Sequence, residues 1–292
     1  MRARDSFSGS IRPYSVGKQF VEVMRRAEFL NLAYFCLFTL LALVWTLPPR
    51  SRKKAILLGL GGLALTATGL ALDRWMPSDA TGIIRDWLPT PLMAFAYWQS
   101  GFFFSKANPR LQAIFDHSER ALMRLLHINV SKVSRTWFGA LLEFAYVFCY
   151  PVVPLGLAAL YFTGFRHAVD VYWTVVLLSA YPCYALLPFV QLKPPRLIEK
   201  SDDSTTRSFG VRRLNLWLAG RVSHGANTFP SGHVAASAAI ALTLFRFVPL
   251  AGIVFAFIAA GIAAGCVVGR YHYIVDVVAA LLLAATMFLI AT

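Results

Sequence analysis

Residues 250–291 read LAGIVFAFIAAGIAAGCVVGRYHYIVDVVAALLLAATMFLIA, two apolar runs at 250–268 and 273–291 with only GRYH between them. Each run has about the 20 mostly apolar residues that one helix needs to cross a bilayer. An arginine and a histidine therefore stand at the turn between two spans, with Asp276 just inside the second. Ionisable groups at membrane depth are costly and are usually functional. The turn thus bears on both the fold and the site.

Composition agrees. The 292 residues are 58% hydrophobic and 14% charged, with mean hydropathy +0.59, whereas a water-soluble domain has about 25% charged residues. A net charge of +14 would suit nucleic acid. The basic residues, however, fall between apolar blocks rather than on one continuous patch, as expected where a membrane protein meets anionic headgroups. Nucleic-acid binding is set aside. Cys36, Cys149, Cys183 and Cys266 each lie inside an apolar block. Their spacing fits neither a disulfide framework nor a zinc site, and they read as core residues.

Working outward, further spans are predicted at 29–47, 55–72, 87–104, 137–163, 171–192 and 231–248. The segment 87–104 is the weakest, since it carries Pro89, Pro91, Gln99 and Ser100. The expectation is an all-α polytopic membrane bundle of eight transmembrane helices, or seven if 87–104 lies in the interface. Residues 1–28 read as a basic tail; the first apolar block lacks a small-x-small cleavage site, so an uncleaved anchor is expected. Residues 29–135 hold the N-terminal transmembrane helices, and 136–292 form the candidate catalytic core. Within 105–135, Leu111, Phe115, Leu122, Leu125 and Leu126 recur at helical spacing with basic residues between them, which predicts an amphipathic helix on the membrane surface.

If the last four segments all span, connectivity places QLKPPRL (191–197), TFPSGH (228–233) and GRYHYIVDV (269–277) on one membrane face. Lys193, Arg196, Ser231, Gly232, His233, Arg270, His272 and Asp276 then converge at helix ends. Singly, each has a plainer reading: Ser231 as a helix cap, Lys193 and Arg196 as snorkelling residues, Arg270 as part of the orienting charge bias. Together they suit phosphoryl transfer, whose transition state spreads negative charge over the equatorial oxygens. Lys193 offers a point charge, while Arg196 and Arg270 offer forked donors. The N–H groups around Ser231–Gly232–His233 lie at a helix N-terminus, which favours an anion. His272 and Asp276, four apart, share one helix face. The carboxylate can fix the imidazole tautomer and leave the other ring nitrogen free to attack phosphorus. His233, from another helix, can then protonate the leaving alcohol. No carboxylate cluster accompanies these residues, so neither metal nor cofactor is expected.

These motifs resemble the type 2 phosphatidic acid phosphatase superfamily, whose pattern is K-x6-R-P, then P-S-G-H, then S-R-x5-H-x3-D. The resemblance covers roughly residues 171–291. PSGH at 230–233 and H-x3-D at 272–276 are complete. It implies His272 as the nucleophile that forms a phosphohistidine, Asp276 as its orienting partner and His233 as the general acid. Two positions depart from the pattern. The first motif is KPPR, with Lys193 three residues before Arg196 instead of seven, so either could be the phosphate ligand. In the third, the expected arginine position holds Cys266, and Arg270 is its substitute. That R-x-H-Y-x-x-D form resembles the branch with inositol phosphorylceramide synthase and sphingomyelin synthase, as does RDWLP at 85–89.

The expected activity is hydrolysis of a phosphomonoester or diphosphate lipid. The alternatives are transfer of phosphoinositol or phosphocholine to a lipid alcohol such as ceramide or diacylglycerol, and a non-catalytic transporter or scaffold. The expected partners are the bilayer and a lipid phosphate or phospholipid substrate. With eight spans the positive charges do not decide the orientation once those of the site loops are set aside, and with seven they favour a cytoplasmic site; the resemblance implies a periplasmic or luminal one.

Overall fold

The computed structural model describes residues 24–199 and 210–292, so most of the basic tail lies outside the described residues. Those described form helices and no β-strand. In chain order they are α1 (Arg26–Val44), α2 (Pro49–Trp75), α3 (Asp79–Trp87), α4 (Pro89–Gly101), α5 (Pro109–Leu125), the single turn α6 (Val130–Val133), α7 (Trp137–Val147), α8 (Val152–Phe162), α9 (Val169–Ala185), α10 (Gly210–Val222), α11 (Gly232–Phe247), α12 (Pro249–Val268) and α13 (Ile274–Ala291).

Four of these, α1, α2, α12 and α13, are long and apolar enough to cross a bilayer, and a fifth span results if α7 and α8 count as one. The protein is therefore an integral multi-pass membrane protein. The expected span 137–163 is broken, with α7 and α8 meeting at 70°. The expected span 87–104 divides at Leu88, where Pro89 and Pro91 start α4. Proline suits a first helical turn, whose N–H groups are unpaired in any case. α9 and α11 are shorter than their segments suggested, at 17 and 16 residues.

α11 sits at the centre, packed against α9, α12 and α13, while α9 joins this group to α1 and α4. Its small residues Ala235, Ala236 and Ala239 are buried, and small residues let membrane helices approach closely. Gly62 serves the same end on α2: a Cβ there would lie 2.6 Å from the Phe35 ring of α1. Leu37, Leu40, Phe257 and Leu282 point outward and are more than half exposed, as lipid-facing side chains are.

Polar networks close the bundle at both ends. At the end away from the site, Asp86 accepts from Arg25 (2.5 Å), Tyr161 (2.5 Å) and Arg166 (2.8 Å). The neighbouring Arg85 guanidinium forks onto Glu28 at 2.6 and 2.7 Å and also reaches Asp73. The RDWLP stretch is thus the hub that ties α1, α2, α3 and α8 together, on the face opposite the site. Removing one partner of a buried pair strands the other charge at a cost of about 3–5 kcal/mol. Arg85→Leu is therefore expected to lower the melting temperature in detergent sharply. Asp79→Ala, whose carboxylate is fully exposed, is expected to leave it unchanged.

Candidate active site

Three chain segments meet at the other face. α12 ends at Gly269, and Arg270 adopts a left-handed conformation with φ 60°. The reversal lets the Tyr271 and His272 N–H groups both donate to the Cys266 carbonyl, at 2.9 and 3.2 Å. His272 is thereby drawn in to 7% exposure before α13 begins. Its Nδ1 lies 3.2 Å from Asp276 Oδ2. That same oxygen accepts from the Tyr273 N–H at 2.9 Å and from Asn227 Nδ2 at 2.8 Å. With Nδ1 facing the carboxylate, Nε2 is the nitrogen left for chemistry.

His233, in the first turn of α11, faces His272 with ring centroids 6.3 Å apart and planes at 78°. Tyr146 and Tyr150 flank it, each with its centroid 6.1 Å away. Ser231 occupies the N-cap position, but its side chain makes no capping bond and its Oγ is buried without a hydrogen-bond partner among the described residues. The Ser231 N–H donates to the Asp276 carbonyl (3.2 Å) and the Gly232 N–H to Thr228 Oγ1 (3.4 Å). Of the three amides expected at an anion, two thus have partners within the protein. Gly232 itself is required by packing, since a Cβ there would come within 2.6 Å of the Tyr184 ring.

Both imidazoles and Arg196 line a cavity of about 420 Å³. Its remaining walls are mostly apolar and aromatic: Met93, Tyr97 and Trp98 from α4, Tyr150, Val153 and Pro154 from the broken span. It reaches Thr90 and Pro91, at the far end of α4. The Arg196 guanidinium lies 5.1 Å from the Tyr271 ring centroid, and the Arg196 backbone N–H donates to the Arg270 carbonyl at 3.0 Å. Tyr271 is stacked on Tyr146 at 4.1 Å and donates to Glu143 at 2.9 Å. Glu143 also takes Arg212 (2.6 Å) and Asn215 (2.7 Å) of α10.

Two expected phosphate ligands lie elsewhere. The Lys193 side chain is exposed and does not line this cavity. Arg270 pairs with Glu119 and Glu199, both at 2.5 Å, and borders a second cavity. Its guanidinium is committed to carboxylates, which an isolated motif could not reveal. Conversely, no motif singles out Asn227, Glu119 or Glu143. Asn227 precedes the PSGH motif in an ordinary polar loop, and Glu119 lies among the charged residues of a surface helix.

The model of the PAP2 superfamily matches residues 168–292, which include His233, His272, Asp276 and Arg196. No curated protein and no solved structure matches the chain.

His224, in the loop before α11, stacks on Tyr97 with centroids 4.3 Å apart, and its Nε2 is buried. Burial, assisted by nearby His272, lowers its pKa from 6.5 to about 4. The unfolded chain therefore binds a proton near pH 6.5 that the folded protein refuses until about pH 4, so this contribution is present above that window and lost as pH falls through it. At roughly 1.4 kcal/mol per unit, the loss amounts to about 3 kcal/mol. Melting in detergent is expected at lower temperature at pH 4.5 than at pH 7, and His224→Gln should flatten that decline. An identical decline in the variant would assign it to other groups.

Proposed function

Because residues 168–292 match the model of the PAP2 superfamily, whose members are phosphatases or related phosphotransferases, we propose that the protein hydrolyses a lipid phosphate through a phosphohistidine on His272. One observation carries the reading. Two imidazoles on different helices face each other at 6.3 Å, one held by a buried carboxylate, and both border a deep apolar cavity with an arginine beside them.

The residues divide the work. Arg196 binds the phosphoryl oxygens, and the start of α11 adds its helix-dipole field. Asp276 holds His272 Nδ1–H, so the Nε2 lone pair attacks phosphorus. The P–O bond to the lipid breaks as His233 gives its proton to the leaving oxygen. Water, deprotonated by His233, then attacks the phosphohistidine, releasing inorganic phosphate and regenerating His272. The substrate tail occupies the apolar cavity, which accounts for its aromatic walls. The catalytic face is read as periplasmic or luminal, on the family resemblance.

A second reading draws on the same cavity. Its apolar walls could bring a lipid alcohol to the phosphohistidine in place of water, making the protein a headgroup transferase. Supplying ceramide or diacylglycerol with labelled phospholipid separates the two: label in a new lipid marks transfer, and label only in free headgroup or phosphate marks hydrolysis.

Purified protein given phosphatidic acid or a prenyl diphosphate in EDTA is expected to release phosphate and, after rapid quench, to carry an acid-labile phosphohistidine. His272→Ala should lose both, with turnover down at least about a thousandfold, and Asp276→Asn should slow phosphoenzyme formation by about a hundredfold or more. Undiminished phosphate release by His272→Ala would end the assignment.

A further inference from the structure

α5 was expected to lie on the membrane as an amphipathic helix. Its exposed Ile114 and Leu125 fit that. Its inward side, however, carries polar groups beside Phe115, which packs on Phe229 and Tyr273: Gln112, Asp116 and Glu119 face the catalytic segments. Glu119 is the one buried residue of this helix, at 2% exposure.

The two Glu119 oxygens are divided between two partners. Oε2 accepts the Ile274 N–H at 2.8 Å, and Oε1 accepts Arg270 Nη1 at 2.5 Å. Arg270 and Ile274 stand two residues before and two residues after His272, so one carboxylate brackets that histidine. Both contacts have a physical basis. The Ile274 N–H belongs to the first turn of α13, where backbone donors lack helical acceptors and a negative charge is favoured. Arg270 holds a left-handed backbone at φ 60°, a conformation costing a non-glycine residue about 1–2 kcal/mol, and its ion pairs offset that strain. Because the Arg270 carbonyl accepts the Arg196 N–H, the bracket also locates the arginine that borders the cavity. Gln112 and Asp116 continue the same docking: Gln112 accepts the Lys193 N–H at 3.0 Å, and Asp116 accepts the Tyr273 hydroxyl at 2.8 Å.

We propose that Glu119 is a positioning residue of the reaction: from the interfacial helix it holds the turn carrying His272 at both ends and thereby fixes the aim of the imidazole. It does not line the imidazole cavity, so it acts through His272 and Arg196 and not on substrate. The kinetic part rests on His272 being the nucleophile. Arg270 accordingly supports the site from behind, through Glu119.

The test uses the full chain in detergent or nanodiscs, with phosphatidic acid as substrate, and compares wild type with Glu119→Gln, Glu119→Ala, Arg270→Gln and the Glu119→Ala/Arg270→Gln double variant. A misplacement of about 1 Å costs on the order of a hundredfold in rate. Glu119→Ala is thus expected to lower kcat by roughly 30- to 100-fold while KM stays within about threefold. Glu119→Gln, which keeps an acceptor for one partner, should fall between. The double variant should be no worse than Glu119→Ala by more than about threefold, because both changes break one bracket. Amide hydrogen exchange at 270–276 should accelerate in Glu119→Gln with the rest of the bundle unchanged. A folded Glu119→Gln with wild-type kcat, or with wild-type exchange across 270–276, would overturn the proposal. If wild type turns over no lipid phosphate, the proposed function fails, and the exchange measurement alone decides whether Glu119 braces the turn.

Discussion

A carboxylate without solvent exposure at the start of a membrane helix must be compensated by hydrogen bonds, and Asp276 gathers them on one oxygen, from separate segments, while its Oδ1 has no hydrogen-bond partner among the described residues. Its Oδ2 takes the Tyr273 amide, the Asn227 side chain and His272 Nδ1, while its carbonyl takes the Ser231 amide. Satisfying one buried charge thus draws together the loop before α11, the entry of α11 and the turn into α13. Burial makes the arrangement all-or-none, because an unpaired polar group costs far more inside the bundle than in water. The imidazole pair follows from that closure: once Ser231 is tied to Asp276, His233 stands two residues further on, facing the ring of His272.

The same logic recurs at both membrane faces, and it explains why so many charged residues sit inside an apolar protein. Away from the site, Arg85 and Asp86 gather the ends of α1, α2, α3 and α8. At the site face, Glu119 and Glu143 tie α5 and α10 to the turn that carries His272. The network away from the site lies at helix ends, whereas Glu119 and Glu143 sit within α5 and α7. The middle of the bundle is filled by large apolar side chains such as Phe35, Leu157 and Leu177, with alanine and glycine at the close helix contacts.

What the sequence disclosed, and what it hid, divides along the range of the interactions. The runs at 250–268 and 273–291 became α12 and α13 because twenty apolar residues have few other fates beside lipid. Connectivity placed His233 and His272 only on one face, and the packing of α11 against α13 brings their rings to 6.3 Å. Where competing partners decide, the sequence was mute. Arg270 has the right type and place for a phosphate ligand, yet Glu119, 151 residues earlier, claims it. Lys193 and Arg196 looked equivalent, and only the path of the chain after the KPPR prolines turns one outward and the other toward Tyr271. The break between α7 and α8 was hidden because hydropathy does not register a 70° bend between two apolar halves.

Hydrolysis and transfer share one geometric condition under the proposed chemistry. In-line displacement puts the leaving oxygen opposite His272 Nε2, on the side where His233 stands. Attack on the phosphohistidine must come along the same line, so the acceptor takes the place that the lipid alcohol has left. That place borders both the polar wall at Arg196 and the apolar walls of Tyr150 and Val153. The first admits water and the second favours a lipid hydroxyl. Choice of acceptor then depends on which approach stays open after the first product leaves. The residues that set it are those around His233, while His272, Asp276 and the brace behind them serve either outcome equally.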